Sequence, residues 1–155
     1  MSMKISELLN PQAIVADLEA RDKDRALAEL TDALIASEPS LDRDDVIEVL
    51  QEREKLGSTG IGDGVAIPHG KLAGISELML AFGRSQAGVD FESMDGQPAH
   101  LFFLLVAPEE SVGVHLKTLA RISKLLKDAS VRQKLLEAAD QEAIYQVILD
   151  EEAQS

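Results

Sequence analysis

The chain has no cysteine among its 155 residues, so disulfides and thiolate chemistry are excluded. That composition suits a cytoplasmic protein. No apolar run is long enough to cross a bilayer, so membrane insertion is not expected. The opening residues, MSMKISELLNPQ, lack the long apolar segment of a signal peptide. Positive charge is scarce: 15 Lys and Arg stand against 28 Asp and Glu, a formal net charge of −13. Binding duplex nucleic acid requires a basic face, so nucleic acid is not an expected partner, and neither is an anionic membrane surface. A basic protein partner is compatible; the plainer reading of the acidic excess is solubility. Repeats, low-complexity tracts and linkers are also missing. With 45% hydrophobic residues, the length suits one domain, residues 1–155, around one core.

What is present is concentrated in Gly57–Lys71, GSTGIGDGVAIPHGK. This stretch holds five of the ten glycines and one of the three histidines. Its polar front half reads as neither helix nor strand, because glycine frees φ and lets backbone come close to a neighbour. Val65–Ile67 reads as a short strand stopped by Pro68, which has no N–H to donate. His69 follows at the strand end, beside a glycine loop, where a titratable nucleophile marks a site.

The flanking elements follow from periodicity and caps. Ile5–Leu9 predicts a short helical turn and Ile14–Leu18 a strand. Asp22 or Asp24 caps a helix to about Ser37, with Leu27, Leu30, Thr31 and Leu34 on one face. Asp42 opens a second helix to about Lys55, with Gly57 at its C-cap. Leu78–Phe82 and Val89–Phe91 are strand candidates, followed by a turn over Met94–Pro98. The continuous run LFFLLVA, Leu101–Ala107, predicts a strand buried on both faces and ended by Pro108. Val112–Lys127, Val131–Ala139 and Gln141–Asp150 predict helices, and Glu151–Ser155 a frayed tail. Strands separated by helices around an apolar central strand imply an α/β sheet covered on both sides.

The glycine loop fails both phosphate-binding patterns. A P-loop needs lysine where Asp63 stands, and a negative charge there repels a β-phosphate. The dinucleotide fingerprint has Val65 in place of its third glycine, and the loop follows a helix rather than a strand. Helical spacing is more informative. Val46 and Leu50 form a stripe that Arg53 extends, and His115 begins a stripe with Leu119, Ile122 and Leu126. Each has a plain alternative: Arg53 snorkels or complements a helix dipole, and His115 is a satisfied core histidine. Together with His69 they describe a nucleophilic imidazole, a second imidazole and a guanidinium. His100 precedes the buried strand and reads as structural. No HExxH-like spacing supports a metal. Lys117, Arg121, Lys124 and Lys127 form a basic helix side, read either as a solvated face or as a positive field near His115.

The segment REKLGSTGIGDGVAIPHGK, residues 53–71, resembles the active-site segment of enzyme IIA of the mannitol/fructose type in the bacterial phosphoenolpyruvate-dependent phosphotransferase system. The nitrogen-related branch, IIA-Ntr, is the better match. The resemblance extends to the SELL opening, the buried strand with its proline, and VHLKTLARISKLL. It implies a mixed β-sheet flanked by helices, phosphorylation of His69 (at the ring nitrogen remote from the backbone), and assistance from His115 and Arg53. It implies an HPr-type phosphocarrier as partner, and no metal, nucleotide or other cofactor, since a phosphohistidine donor already carries an activated group. Ser58 and Thr59 are candidate further donors. Ile61, Val65, Ile67 and Leu72 are the expected partner rim. A free domain without IIB or IIC segments favours the regulatory branch over a sugar-uptake component; a binding module that never carries phosphate is the reading from another class.

Overall fold

In the computed structural model, which describes residues 4–154, the apolar run lies at the centre of the sheet. It is the body of β6 (Ala99–Pro108), and Phe102–Ala107 are all fully buried. On one side β6 pairs antiparallel with β5 (Met79–Val89). On the other it pairs in parallel with two short strands in succession, β3 (Val65–Ala66) and β4 (His69–Leu72). β1 (Leu9–Val15) lies parallel to β5, and β2 (Gly60–Gly62) antiparallel to β3. The order is β1-β5-β6-β3-β2, with β4 also on β6, so the sheet is mixed, as the resemblance implied.

The described residues form six helices: α1 (Ile5–Leu8), α2 (Lys23–Ser37), α3 (Arg43–Lys55), α4 (Val112–Lys127), α5 (Ala129–Glu137) and α6 (Gln141–Ala153). Adjacent residues of a strand point to opposite faces, and β5 shows which helices cover each. A Cβ on Gly83 would meet Leu30 of α2, whereas Arg84 reaches the carbonyls of Leu135, Leu136 and Ala138 around the end of α5. Helices therefore cover both faces. Asp22 caps α2 through Arg25 N at 2.9 Å, and Asp42 caps α3 through Asp45 N at 3.1 Å.

Several boundaries differ from expectation for physical reasons. β1 starts at Leu9 and runs through Pro11, ending at Val15 rather than spanning Ile14–Leu18. Proline is tolerated there because β1 is an edge strand with an irregular register between Leu9 and Ile14. β5 continues past Phe82 through Gly83, Arg84 and Ser85 and absorbs Val89, because the buried Arg84 satisfies its charge on carbonyls. Gly60–Gly62 is strand, not loop. It forms a hairpin with Val65–Ala66 whose turn residues, Asp63 and Gly64, have φ of 58° and 77°. A two-residue turn with both φ positive matches the right-handed strand twist, and Asp-Gly is a favoured pair for it. β3 stops at Ala66, so Ile67 lies outside it. α5 begins at Ala129 because Asp128 caps it through Ser130 N at 2.8 Å. The tail is not frayed: α6 continues to Ala153, and Glu152 accepts from Ile5 N at 2.6 Å and Ser6 N at 2.8 Å, satisfying first-turn donors of α1. Ser155 of the expected tail and Met1–Met3 of the expected domain lie outside the described residues.

Candidate functional site

β3 and β4 share one edge of β6, and the Ile67–Pro68 step between them shapes the site. Pro68 has no N–H, but its carbonyl accepts from Leu105 N at 2.9 Å. Ile67 N turns away to donate to the Thr59 carbonyl at 3.0 Å. His69 therefore opens a strand, opposite Leu105, rather than closing one. Gly70 lets α3 press against this strand: a Cβ there would lie 3.1 Å from Val49 Cγ2.

The His69 ring is fixed by one bond, Nδ1 to the Ile67 carbonyl at 2.8 Å. A carbonyl only accepts, so Nδ1 carries the hydrogen and the neutral ring keeps its lone pair on Nε2. The His115 ring lies beside it, with centroids 5.5 Å apart and planes 57° apart. His115 is in the first turn of α4, only 7% exposed, and its buried Nδ1 has no hydrogen-bond partner among the described residues. Burial pushes the His69 imidazole below its ordinary pKa, and the Arg53 charge adds to this, while the Ile67 carbonyl and Glu54 oppose it. Burial also lowers His115, helped by His69 and Lys71. Both rings are thus neutral nucleophiles or hydrogen-bonding groups near neutral pH.

Arg53 is half-buried, and its Nη1 donates to the Gly57 carbonyl at 2.9 Å. It does not extend the buried stripe of α3; Val46 and Leu50 are followed there by Glu54, on the i+4 spacing rather than i+3. Spacing alone did not separate these two neighbours. Ser58 and Thr59 are turned inward. The Ser58 hydroxyl donates to the Phe91 carbonyl at 2.8 Å and accepts from Gly60 N. The Thr59 hydroxyl donates to Glu54. Both hydroxyl protons are thus engaged within the protein.

The expected rim needs correction. Ile61 is 49% exposed, but Val65, Ile67 and Leu72 are at most 7% exposed and belong to the core. Val65 lies on a strand paired on both sides, which leaves it no rim to occupy. Other solvated apolar side chains near the site residues in the chain are Leu56, beside the Arg53–Gly57 turn, and Val114 and Leu116, on either side of His115, at 83%, 49% and 59% exposed. His100 sits five residues before Leu105 on β6, roughly 16 Å along the strand, and its Nδ1 meets the Ser85 carbonyl at 2.8 Å. The described residues hold no group of three or more His, Cys, Asp or Glu that could bind a metal.

A mixed sheet with a paired-histidine site at the β3–β4 step defines a class. The crystal structure of IIA mannitol from Escherichia coli superposes with a TM-score of 0.74 at 19% identity, covering 90% of this chain and 97% of that one. The fold is therefore that of a mannitol-type IIA protein. The chain belongs to the family described as phosphoenolpyruvate-dependent sugar phosphotransferase system, EIIA 2, whose model matches residues 7–151. It is 47% identical to the nitrogen regulatory protein of Bradyrhizobium diazoefficiens over 94% of this chain and 95% of that protein. The crystal structure of nitrogen regulatory protein IIA-Ntr from Neisseria meningitidis matches with a TM-score of 0.86 at 39% identity, covering 93% and 98%. The fructose-specific EIIABC component of Bacillus subtilis is 43% identical over 94% of this chain, which spans only 23% of that longer protein.

Proposed function

We propose that the chain is a histidine phosphocarrier that acts in the cytoplasm, with residues 1–155 as one EIIA unit and a regulatory, nitrogen-related output. Its donor is a phosphorylated HPr-type protein. The observation that supports this best is the bond from His69 Nδ1 to the Ile67 carbonyl, which leaves the Nε2 lone pair available. The Nε2–phosphorus bond forms as the donor's nitrogen–phosphorus bond breaks, and that electron pair returns to the donor ring. Nδ1 keeps its hydrogen throughout. The transferred group is loosely bonded in passage, so the site acts by positioning and by stabilising charge. His115 lies beside His69, within reach of a group on that ring, and is placed to donate a hydrogen bond to a phosphoryl oxygen. The Arg53 charge supports the anion while the side chain holds the Gly57 turn.

The relatives named nitrogen regulatory protein support the regulatory branch, being matched nearly end to end. The fructose-specific relative favours a second reading, a IIA component that passes phosphate to a sugar-specific IIB domain. The experiment is incubation with phosphoenolpyruvate, enzyme I and an HPr-type protein, followed by intact mass. The expected result is a gain of one phosphoryl group that His69→Ala abolishes. Labelling retained in that variant removes the assignment. His115→Ala should still accept phosphate but pass it on more slowly, by about 10²-fold, as when one charge-stabilising donor is deleted. Rapid onward transfer to a fructose IIB domain selects the sugar-uptake reading.

A further inference from the structure

We propose that Glu54 is the positioning residue of the phosphoryl acceptor, holding Thr59, whose carbonyl fixes the Ile67 peptide that orients His69. The proposal rests on the reading of His69 as acceptor and adds a residue outside the imidazole pair and Arg53.

Glu54 lies in the last turn of α3 and is only 9% exposed. A buried carboxylate needs partners, and three converge on it. Lys23 Nζ, at the start of α2, is 3.0 Å away. Thr59 N donates to it at 3.1 Å, and the Thr59 hydroxyl donates to its other oxygen. Thr59 is itself 4% exposed. Its carbonyl accepts from Ile67 N at 3.0 Å, and the Ile67 carbonyl accepts the His69 Nδ1–H at 2.8 Å. One line of hydrogen bonds therefore runs from an ammonium at the head of α2, through Glu54, to the reacting ring.

A buried ion pair is by itself weak evidence for stability, since apolar side chains of similar volume often serve as well. Orientation is what this one supplies. Its far end sets the tautomer of His69, and hence which nitrogen is free. Arg53 and Glu54, neighbours on α3, hold the same loop at two points, Gly57 and Thr59. They act on the ring with opposite sign, Arg53 favouring the neutral form and Glu54 the charged one. The other charged or titratable groups at the pair are His115 from α4 and Lys71 from His69's own strand, which acts on His115.

The test reads the ring directly. In ¹⁵N-labelled protein without donor, NMR should show His69 chiefly as the Nδ1–H tautomer. In Glu54→Gln that preference should weaken, and the rate of phosphoryl acceptance should fall about tenfold or more at unchanged donor KM, as expected of a misplaced nucleophile. Thr59→Val, which deletes only the hydroxyl, should move both readouts the same way by less, and Thr59→Ser should restore them. Wild-type His69 nitrogen shifts in Glu54→Gln overturn the proposal, as does a loss confined to KM. If Glu54→Gln does not fold, Thr59→Val decides, and wild-type values there overturn it. Failure of the wild-type protein to accept phosphate would sink the acceptor reading alone, because the tautomer measurement needs no phosphate.

Discussion

The Nδ1–H of His69 is committed to a backbone carbonyl, and the ring is held below its ordinary pKa first by burial and then by Arg53. His115 is lowered first by burial as well. Both groups therefore bind protons less readily in the fold than in the unfolded chain, where the imidazole pKa is about 6.5. As pH falls, the unfolded chain takes up protons first, so stability drops. The contribution of these two residues is complete above about pH 6.5 and is lost as pH falls through that value towards the folded-state pKa. We expect a flat Tm between about pH 8 and 7, a decline below about 6.5, and a weaker decline in the His69→Gln, His115→Gln double variant. Asp128, held below the ordinary carboxylate range first by its bond to the Ser130 side chain, acts in a separate and more acidic window. An NMR titration midpoint for His69 at or above about 6.5 would refute the burial argument.

At the scale of elements, the glycine segment shows what periodicity reads and what it misses. The long helices and the central strand were legible, because each repeats its signal over many residues, and so were the aspartate caps of α2 and α3, whereas those of α5 and α6 were not. The β2–β3 hairpin was not, although Asp63-Gly64 is a hairpin signal; three nearby glycines made the stretch read as loop. β4 was hidden because HGKL has no alternation of its own and is strand only by virtue of the edge that β6 offers it. The residues of the candidate site were legible to different degrees. His69 and His115 were, through a strand break and an apolar stripe, whereas Glu54 was passed over because a glutamate after Arg53 looks solvated. The hairpin is open to test at its turn. Gly64 has φ of 77°, and a Cβ there would meet nothing nearer than His100 Cδ2 at 3.7 Å. Gly64→Ala therefore meets strain without a clash, and should destabilise the fold by about 1 kcal/mol in denaturant unfolding. A loss near zero would mean that the turn relaxes to another type.

For the whole molecule, the proposed function requires a chain of net charge −13 to present a histidine to a second protein's histidine. Long-range attraction to a basic donor follows from the charge and sets the encounter rate, which should fall with added salt. Charge does not set the docked geometry; exposed apolar side chains are the better candidates for that. Leu116 adjoins His115 and is 59% exposed, so it contributes little to the core. On the proposed reading, a phosphoryl group on His69 adds about −1.5 to −2 charge beside His115, the residue before Leu116, and gives partners a difference to read. Leu116→Asp should change stability by no more than about 0.5 kcal/mol, as exposed substitutions generally do. It should nevertheless raise the KM for the phosphorylated HPr-type donor, while the rate at saturating donor stays near wild type, because His69, His115 and Arg53 are untouched. Steady-state labelling over a range of donor concentrations separates the two parameters. An unchanged KM would move the docking surface away from the start of α4, towards Leu56 and Ile61.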